Sequence, residues 1–170
     1  MNKKQKILFR SSIVVNILLA LILSWGIVSV NFSNDQIFYT EVQDNLVELE
    51  GLIGYEKEHN WSQSNLVTQK LGEVLKGIYA GVNNGNYTKS LSKHETDIFE
   101  KLLSRLRQYP QDKQYEFVKL TNEDKENFEA LRLKLRKAGL GVNLTEDSGL
   151  DSFIEKVEFL GDQIEAPLNQ

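Results

Sequence analysis

The sequence predicts an all-α protein: one N-terminal transmembrane helix followed by an extracytoplasmic helical bundle of four to five helices. Three observations lead there. Ile13 to Val30 contains no ionisable side chain. Beyond it, apolar residues recur at helical spacing in five successive stretches. Only two prolines, Pro110 and Pro167, interrupt the whole chain.

The apolar stretch comes first. At about 1.5 Å per residue it makes a helix of roughly 27 Å, close to the hydrocarbon thickness of a bilayer. Lys3, Lys4, Lys6 and Arg10 precede it, and Asp35, Glu41 and Asp44 follow. Lys and Arg resist translocation, so the basic end is expected in the cytoplasm. This divides the chain into a cytoplasmic basic leader (1–12), a transmembrane signal-anchor helix (13–32) and an extracytoplasmic α-helical domain (34–170). The competing expectation is a secreted protein, cleaved near Gly26. Ser24-Trp25-Gly26 places small residues where a signal peptidase reads. The apolar character continues through Ile27, Val28 and Val30, which favours the uncleaved anchor. Trp25, Phe32, Phe38 and Tyr39 flank the outer end, where aromatic rings suit the headgroup region. Phe38 also fits the core of the next helix.

The first outer helix is expected from about Asn34 to Glu58. Phe38, Val42, Leu46, Leu49 and Ile53 form its apolar stripe. Asp35, Glu41, Asp44, Glu48, Glu50 and Glu58 form its polar face. Nothing strongly separates it from the membrane helix. His59 to Ser62 reads as a joint. A second helix is expected over about 63–82, with Val67, Leu71, Val74, Leu75, Ile78 and Val82 on one side. Gly72, Gly77 and Gly81 each weaken a helix by up to about 1 kcal/mol, so their spacing implies a closely packed neighbouring backbone. Asn83-Asn84-Gly85-Asn86 reads as a stop and turn.

Ser92-Lys93-His94-Glu95 has the capping-box pattern and starts the third helix. Its stripe is Ile98, Phe99, Leu102, Leu103 and Leu106, and Tyr109-Pro110 ends it. Residues 111–120 read as an extended connector or early helix, because a lone strand would find no partner. The fourth helix starts near Thr121 and buries Phe128, Leu131, Leu135 and Ala138. Gly139 caps it, with Lys134, Arg136 and Lys137 in the last turn. The fifth takes Leu150, Phe153, Ile154, Val157, Leu160 and Ile164, and Pro167 closes it. The acidic first helix and the basic fourth can face each other. The ordinary expectation is that both are solvated faces whose ion pairs contribute little.

Charge and composition exclude several functions. The chain has 20 basic and 24 acidic residues. Four of the basic ones lie in the leader, so residues 34–170 carry 16 against 24, a net of −8. Such a domain repels nucleic acid at long range. Without cysteine there is no disulfide, thiolate chemistry or zinc–thiolate site. His59 and His94 lack a ligand partner at helical spacing. The carboxylate pairs Glu41/Asp44 and Glu155/Glu158 lie along polar helix faces rather than across a cleft. Asn143 to Gly149 resembles part of a calcium loop, but the required glycine and bidentate glutamate fall on Ser148 and Ile154. A turn and helix cap explain it better. The Asn-x-Ser/Thr triplets at Asn31, Asn60, Asn86 and Asn143 are read as chance. No catalytic residue, metal ligand or cofactor-binding residue is therefore assigned. The layout points to a non-enzymatic protein held in the membrane by its N-terminal helix. Its partner would be another envelope protein or itself, and not nucleic acid. The second expectation is a ligand-sensing or regulatory domain that signals through a membrane partner.

One surface stands out in the membrane helix. Ser12, Asn16, Ala20 and Ser24 recur every four residues and form a slowly winding small or polar stripe. Small residues let helix backbones approach in lipid, and Asn16 can exchange hydrogen bonds worth about 0.6–2 kcal/mol. The alternative is that Asn16 reaches water at the cytoplasmic side and the small residues are incidental. If the stripe drives self-association, a membrane-helix dimerisation reporter carrying residues 10–32 should give signal above background, and Asn16→Leu should lower it. Equal background signals from both would exclude homodimerisation through this face.

Overall fold

The computed structural model describes residues 2–112, 117–142 and 149–168. Helices account for the regular structure, and no strand occurs among the described residues. The chain divides into two compact units, Met1–Ser33 and Asn34–Gln170.

In the first unit the chain is helical throughout α1, which runs Lys3–Ile37. This helix is long and apolar enough to cross a membrane. None of its most apolar window is buried.

The second unit holds a short π-helical segment, Phe38–Gln43, then α2 (Asp44–Glu58), α3 (Asn65–Thr88), α4 (Lys93–Leu106), α5 (Asn122–Lys137) and α6 (Leu150–Gln163). The order of contacts is a ring: α2 packs on α3, α3 on α4, α4 on α6, α6 on α5, and α5 back on α2. The buried stripes of all five helices meet inside it. Helical backbone is unbroken from Lys3 to Glu58.

The π segment is marked by the Asp44 N–H, which bonds the Tyr39 carbonyl five residues back. Phe38, Val42 and Leu46 are all fully buried. Phe38 stacks on Phe99 of α4 with ring centroids 4.3 Å apart, and Tyr39 lies 6.4 Å from Phe153 of α6. Both aromatics belong to the bundle core, whereas Trp25 and Phe32 remain exposed.

Close backbone packing occurs at Gly77 and Gly81 of α3. A Cβ on Gly77 would collide with the Glu41 backbone carbonyl, and one on Gly81 would lie 2.6 Å from the Phe38 ring. Gly72 departs from the expectation, because a Cβ there meets nothing within 4 Å. Helix α3 also continues through the Asn83–Asn86 stretch expected to stop it. Tertiary partners replace the local turn: Asn84 Nδ2 donates to Asn34 Oδ1 at 3.0 Å, and Asn86 Oδ1 accepts from the Thr96 hydroxyl at 2.9 Å. Gly85 is buried against Leu91. The helix ends instead at Lys89, whose left-handed φ of 59° turns its N–H onto the Gly85 carbonyl.

The remaining helix ends follow their caps. Ser92 and Glu95 form the expected capping box. Thr121 and Asp124 form another, with Asp in place of the usual Glu. After α5, the Leu140 N–H bonds the Leu135 carbonyl and the Gly139 N–H bonds that of Arg136. Gly139 has φ 73°, completing a Schellman turn. Residues 111, 112 and 117–120 are neither helix nor strand; 113–116 lie outside the described residues, as does most of the Asn143–Gly149 turn.

The packing gives a direct contrast. Gly77→Ala should destabilise the full chain by about 1–3 kcal/mol through overpacking. Gly72→Ala should stabilise it by up to about 1 kcal/mol through helix propensity. Leu102 is fully buried, so Leu102→Ala should cost about 2–5 kcal/mol. Denaturant unfolding of the detergent-solubilised protein, followed by circular dichroism, reads all three.

Candidate functional site

The polar face expected on α2 is not uniformly solvated. Glu50 is fully buried. Its Oε1 accepts from Nε of Arg132 and of Arg136, each at 2.8 Å, and its Oε2 accepts from the Val142 N–H at 3.1 Å. Gly54, one turn along α2, makes room: a Cβ there would lie 2.5 Å from Arg132 Cζ. Lys57 and Glu129 add a peripheral pair between the same helices. The expected α2–α5 charge pairing thus exists, but one carboxylate sits in the core rather than on a solvated face.

Burial alone would raise the Glu50 carboxyl pKa. The Val142 N–H and both guanidinium groups outweigh it and hold the carboxyl below its ordinary value of 4.5. These contacts are structural: the carboxylate is saturated with donors and closed to substrate.

A second carboxylate, Glu56, is also fully buried. Its Oε2 accepts from the Gln63 N–H at 2.8 Å, and its backbone carbonyl accepts from the Trp61 N–H at 2.7 Å. It fastens the joint between α2 and α3, where Asn60 and Trp61 adopt φ of 55° and 58°. Trp61 packs on Phe128 with centroids 6.3 Å apart. His59 stacks on Tyr55 at 3.9 Å and contacts the Tyr55 carbonyl through Nδ1 at 2.8 Å. His94 is exposed in the first turn of α4. Glu41, Asp44, Glu155 and Glu158 are exposed on helix faces. Among the described residues, no cluster of three or more His, Cys, Asp or Glu could hold a metal.

Ser12, Asn16, Ala20 and Ser24 all lie on α1 and are all exposed. The Ser24 hydroxyl donates to the Ala20 carbonyl at 2.8 Å, so it is already used within the helix. Asn16 makes no such bond.

One concavity had no counterpart in the sequence pattern. It is an open groove of about 1010 Å³ between α3 and the described residues Arg107, Gln111, Asp112 and Phe117 that follow α4. Gly72 and Leu75 line its α3 side, with Lys76 and Tyr79 one turn further on. Arg107 and Phe117 contribute from the other side. Tyr79 and Phe117 are 59% and 65% exposed. The open space at Gly72 was the available signal, but glycine spacing alone does not separate a packed contact from an empty one.

No known family model, curated protein or solved structure matches the chain.

The Glu50 cluster generates an asymmetric prediction. Replacing both Arg132 and Arg136 by Ala strands a buried carboxylate and should cost about 3–5 kcal/mol. Glu50→Gln should cost less, because the two arginine side chains are 24% and 52% exposed and can hydrate. Since the folded pKa is lowered, the ionised Glu50 stabilises above pH 4.5, and that contribution disappears as pH falls through the folded value. Urea unfolding between pH 7 and 3 should show a steeper acid loss for the native chain than for Glu50→Gln.

Proposed function

We propose that the chain is a non-enzymatic, single-pass membrane-anchored protein whose extracytoplasmic helical domain binds another envelope protein or itself. The observation that carries this reading is the contrast between the two units. The bundle's apolar stripes are buried against each other, while the apolar stretch of α1 is exposed along its length. An exposed apolar helix of that length needs lipid around it. Lys3, Lys4, Lys6 and Arg10 at its N-terminal end favour a cytoplasmic leader, which leaves residues 34–170 on the outer side.

Interaction is the function class best supported for the outer domain. Both oxygens of its buried Glu50 bond across helices, and Oε2 of its buried Glu56 fastens a joint, while Oε1 of Glu56 has no partner among the described residues. Its histidines lie on the surface without a catalytic partner. Its exposed aromatic residues, by contrast, are the kind that protein interfaces use.

Two measurements test this reading. Protease added outside intact spheroplasts should digest the chain beyond Asn34 and spare the leader. A mature form beginning near Ile27 would show that the apolar segment is removed. Mild-detergent capture of the intact protein should recover a stoichiometric envelope partner or a homo-oligomer. A monodisperse monomer with no co-purifying protein would contradict the interaction reading.

A further inference from the structure

We propose that the groove between α3 and the chain after α4 binds a short polypeptide segment of a partner, carrying one or two carboxylates beside apolar side chains. This names the surface and partner chemistry for the interaction reading and rests on it.

Gly72 supplies the first argument. A glycine in mid-helix costs about 1 kcal/mol relative to alanine. Gly77 and Gly81 repay that cost with close contacts inside the bundle, but Gly72 has open space above it and lines the groove. A bare stretch of helix backbone lets another chain approach closely.

Charge supplies the second. The groove's carboxylates have partners: Glu73 shares Lys70 with Glu48, and Asp112 accepts from the Thr68 hydroxyl at 3.0 Å and the Val118 N–H at 2.9 Å. Lys76 and Arg107 pair with no carboxylate among the described residues, although both line the groove. An incoming carboxylate can pair with both cations, and Arg can grip it with two parallel N–H bonds.

The remaining lining restricts the ligand further. Tyr79, Phe117 and Leu75 offer apolar surface that a polypeptide with apolar side chains can cover. The domain's net charge of −8 opposes a polyanion at long range, which disfavours nucleic acid, polyphosphate and strongly acidic polymers. One or two carboxylates gain the local contacts without incurring that repulsion in full. The twelve residues of α3 from Thr68 to Tyr79 span roughly 16 Å, enough for about five residues of extended chain.

The test uses the full chain in lipid nanodiscs. An array of twelve-residue peptides built from Leu, Tyr, Ser and Gly, with zero, one or two Glu, is probed for binding. Peptides with one or two Glu should bind at least about tenfold more tightly than their Gln counterparts. Lys76→Ala with Arg107→Ala should erase that difference. Gly72→Leu should weaken binding of all of them at least about tenfold, while its melting temperature should not fall below that of the native chain, because leucine favours the helix and a Cβ there meets nothing within 4 Å. No peptide binding above background, equal binding of Glu and Gln peptides, indifference to Gly72→Leu, or binding of long-chain polyphosphate alone would each overturn the proposal. A photocrosslinking residue at Phe159 or Tyr55 in intact cells separates the two readings. A partner adduct there, with no peptide bound in the groove, leaves the interaction reading standing and removes the groove from it.

Discussion

The bundle depends on one close approach, where α3 lies against the π-helical turn at Phe38–Gln43. Gly77 and Gly81 have no side chain to hold the two backbones apart, so the Glu41 carbonyl and the Phe38 ring occupy that space. From this turn the side chains fan outward. Phe38 reaches Phe99 of α4, Tyr39 reaches Phe153 of α6, and Val42 joins the central core. A single turn thus touches three of the helices that follow. Interiors packed at this density transmit the loss of any one contact to its neighbours.

Glu50 organises the α2–α5 side by a different principle. Apolar packing is non-directional, whereas a buried carboxylate with three donors fixes the separation and register of the elements that supply them. Arg132 and Arg136 are one turn apart on α5, and Val142 lies beyond the Gly139 turn. Their convergence on one side chain ties α2, α5 and that turn together. Its net contribution to stability is smaller than its bonds suggest, because desolvating the charges opposes their attraction. Its value lies in geometry: Gly54 leaves room for the Arg132 guanidinium that reaches Glu50.

Much of the fold was legible in the sequence because the helical period is a strong signal. The apolar stripes of all five helices end up inside, with Leu150 half-buried at the start of α6. Capping at Ser92 and the glycine turn at Gly139 were also readable, since their chemistry is local. What failed was decided by tertiary contact. Asn83–Asn86 looks like a turn until Asn34 and Thr96 supply partners for Asn84 and Asn86. Glu50 looks solvated until Arg132 and Arg136 arrive from over eighty residues away. Gly72 and Gly77 have the same local signature, yet one faces open space and the other a carbonyl. The π turn was not legible, because Val67, Leu71 and Leu75 keep the same four-residue steps within the α-helix of α3. The groove was not legible, because it depends on where the chain after α4 comes to lie against α3.

Hydrogen exchange of the full chain in lipid nanodiscs tests the central claim most directly. If the π turn is the packed centre of the bundle, amides of residues 38–58 and 67–82 should be protected together and should open in one cooperative step. The Leu103–Leu106 turn of α4 should share that step. Exchange of residues 38–43 at the rate of the exposed Asn60 and Ser62 in the α2–α3 joint, while α3 stays protected, would contradict the account.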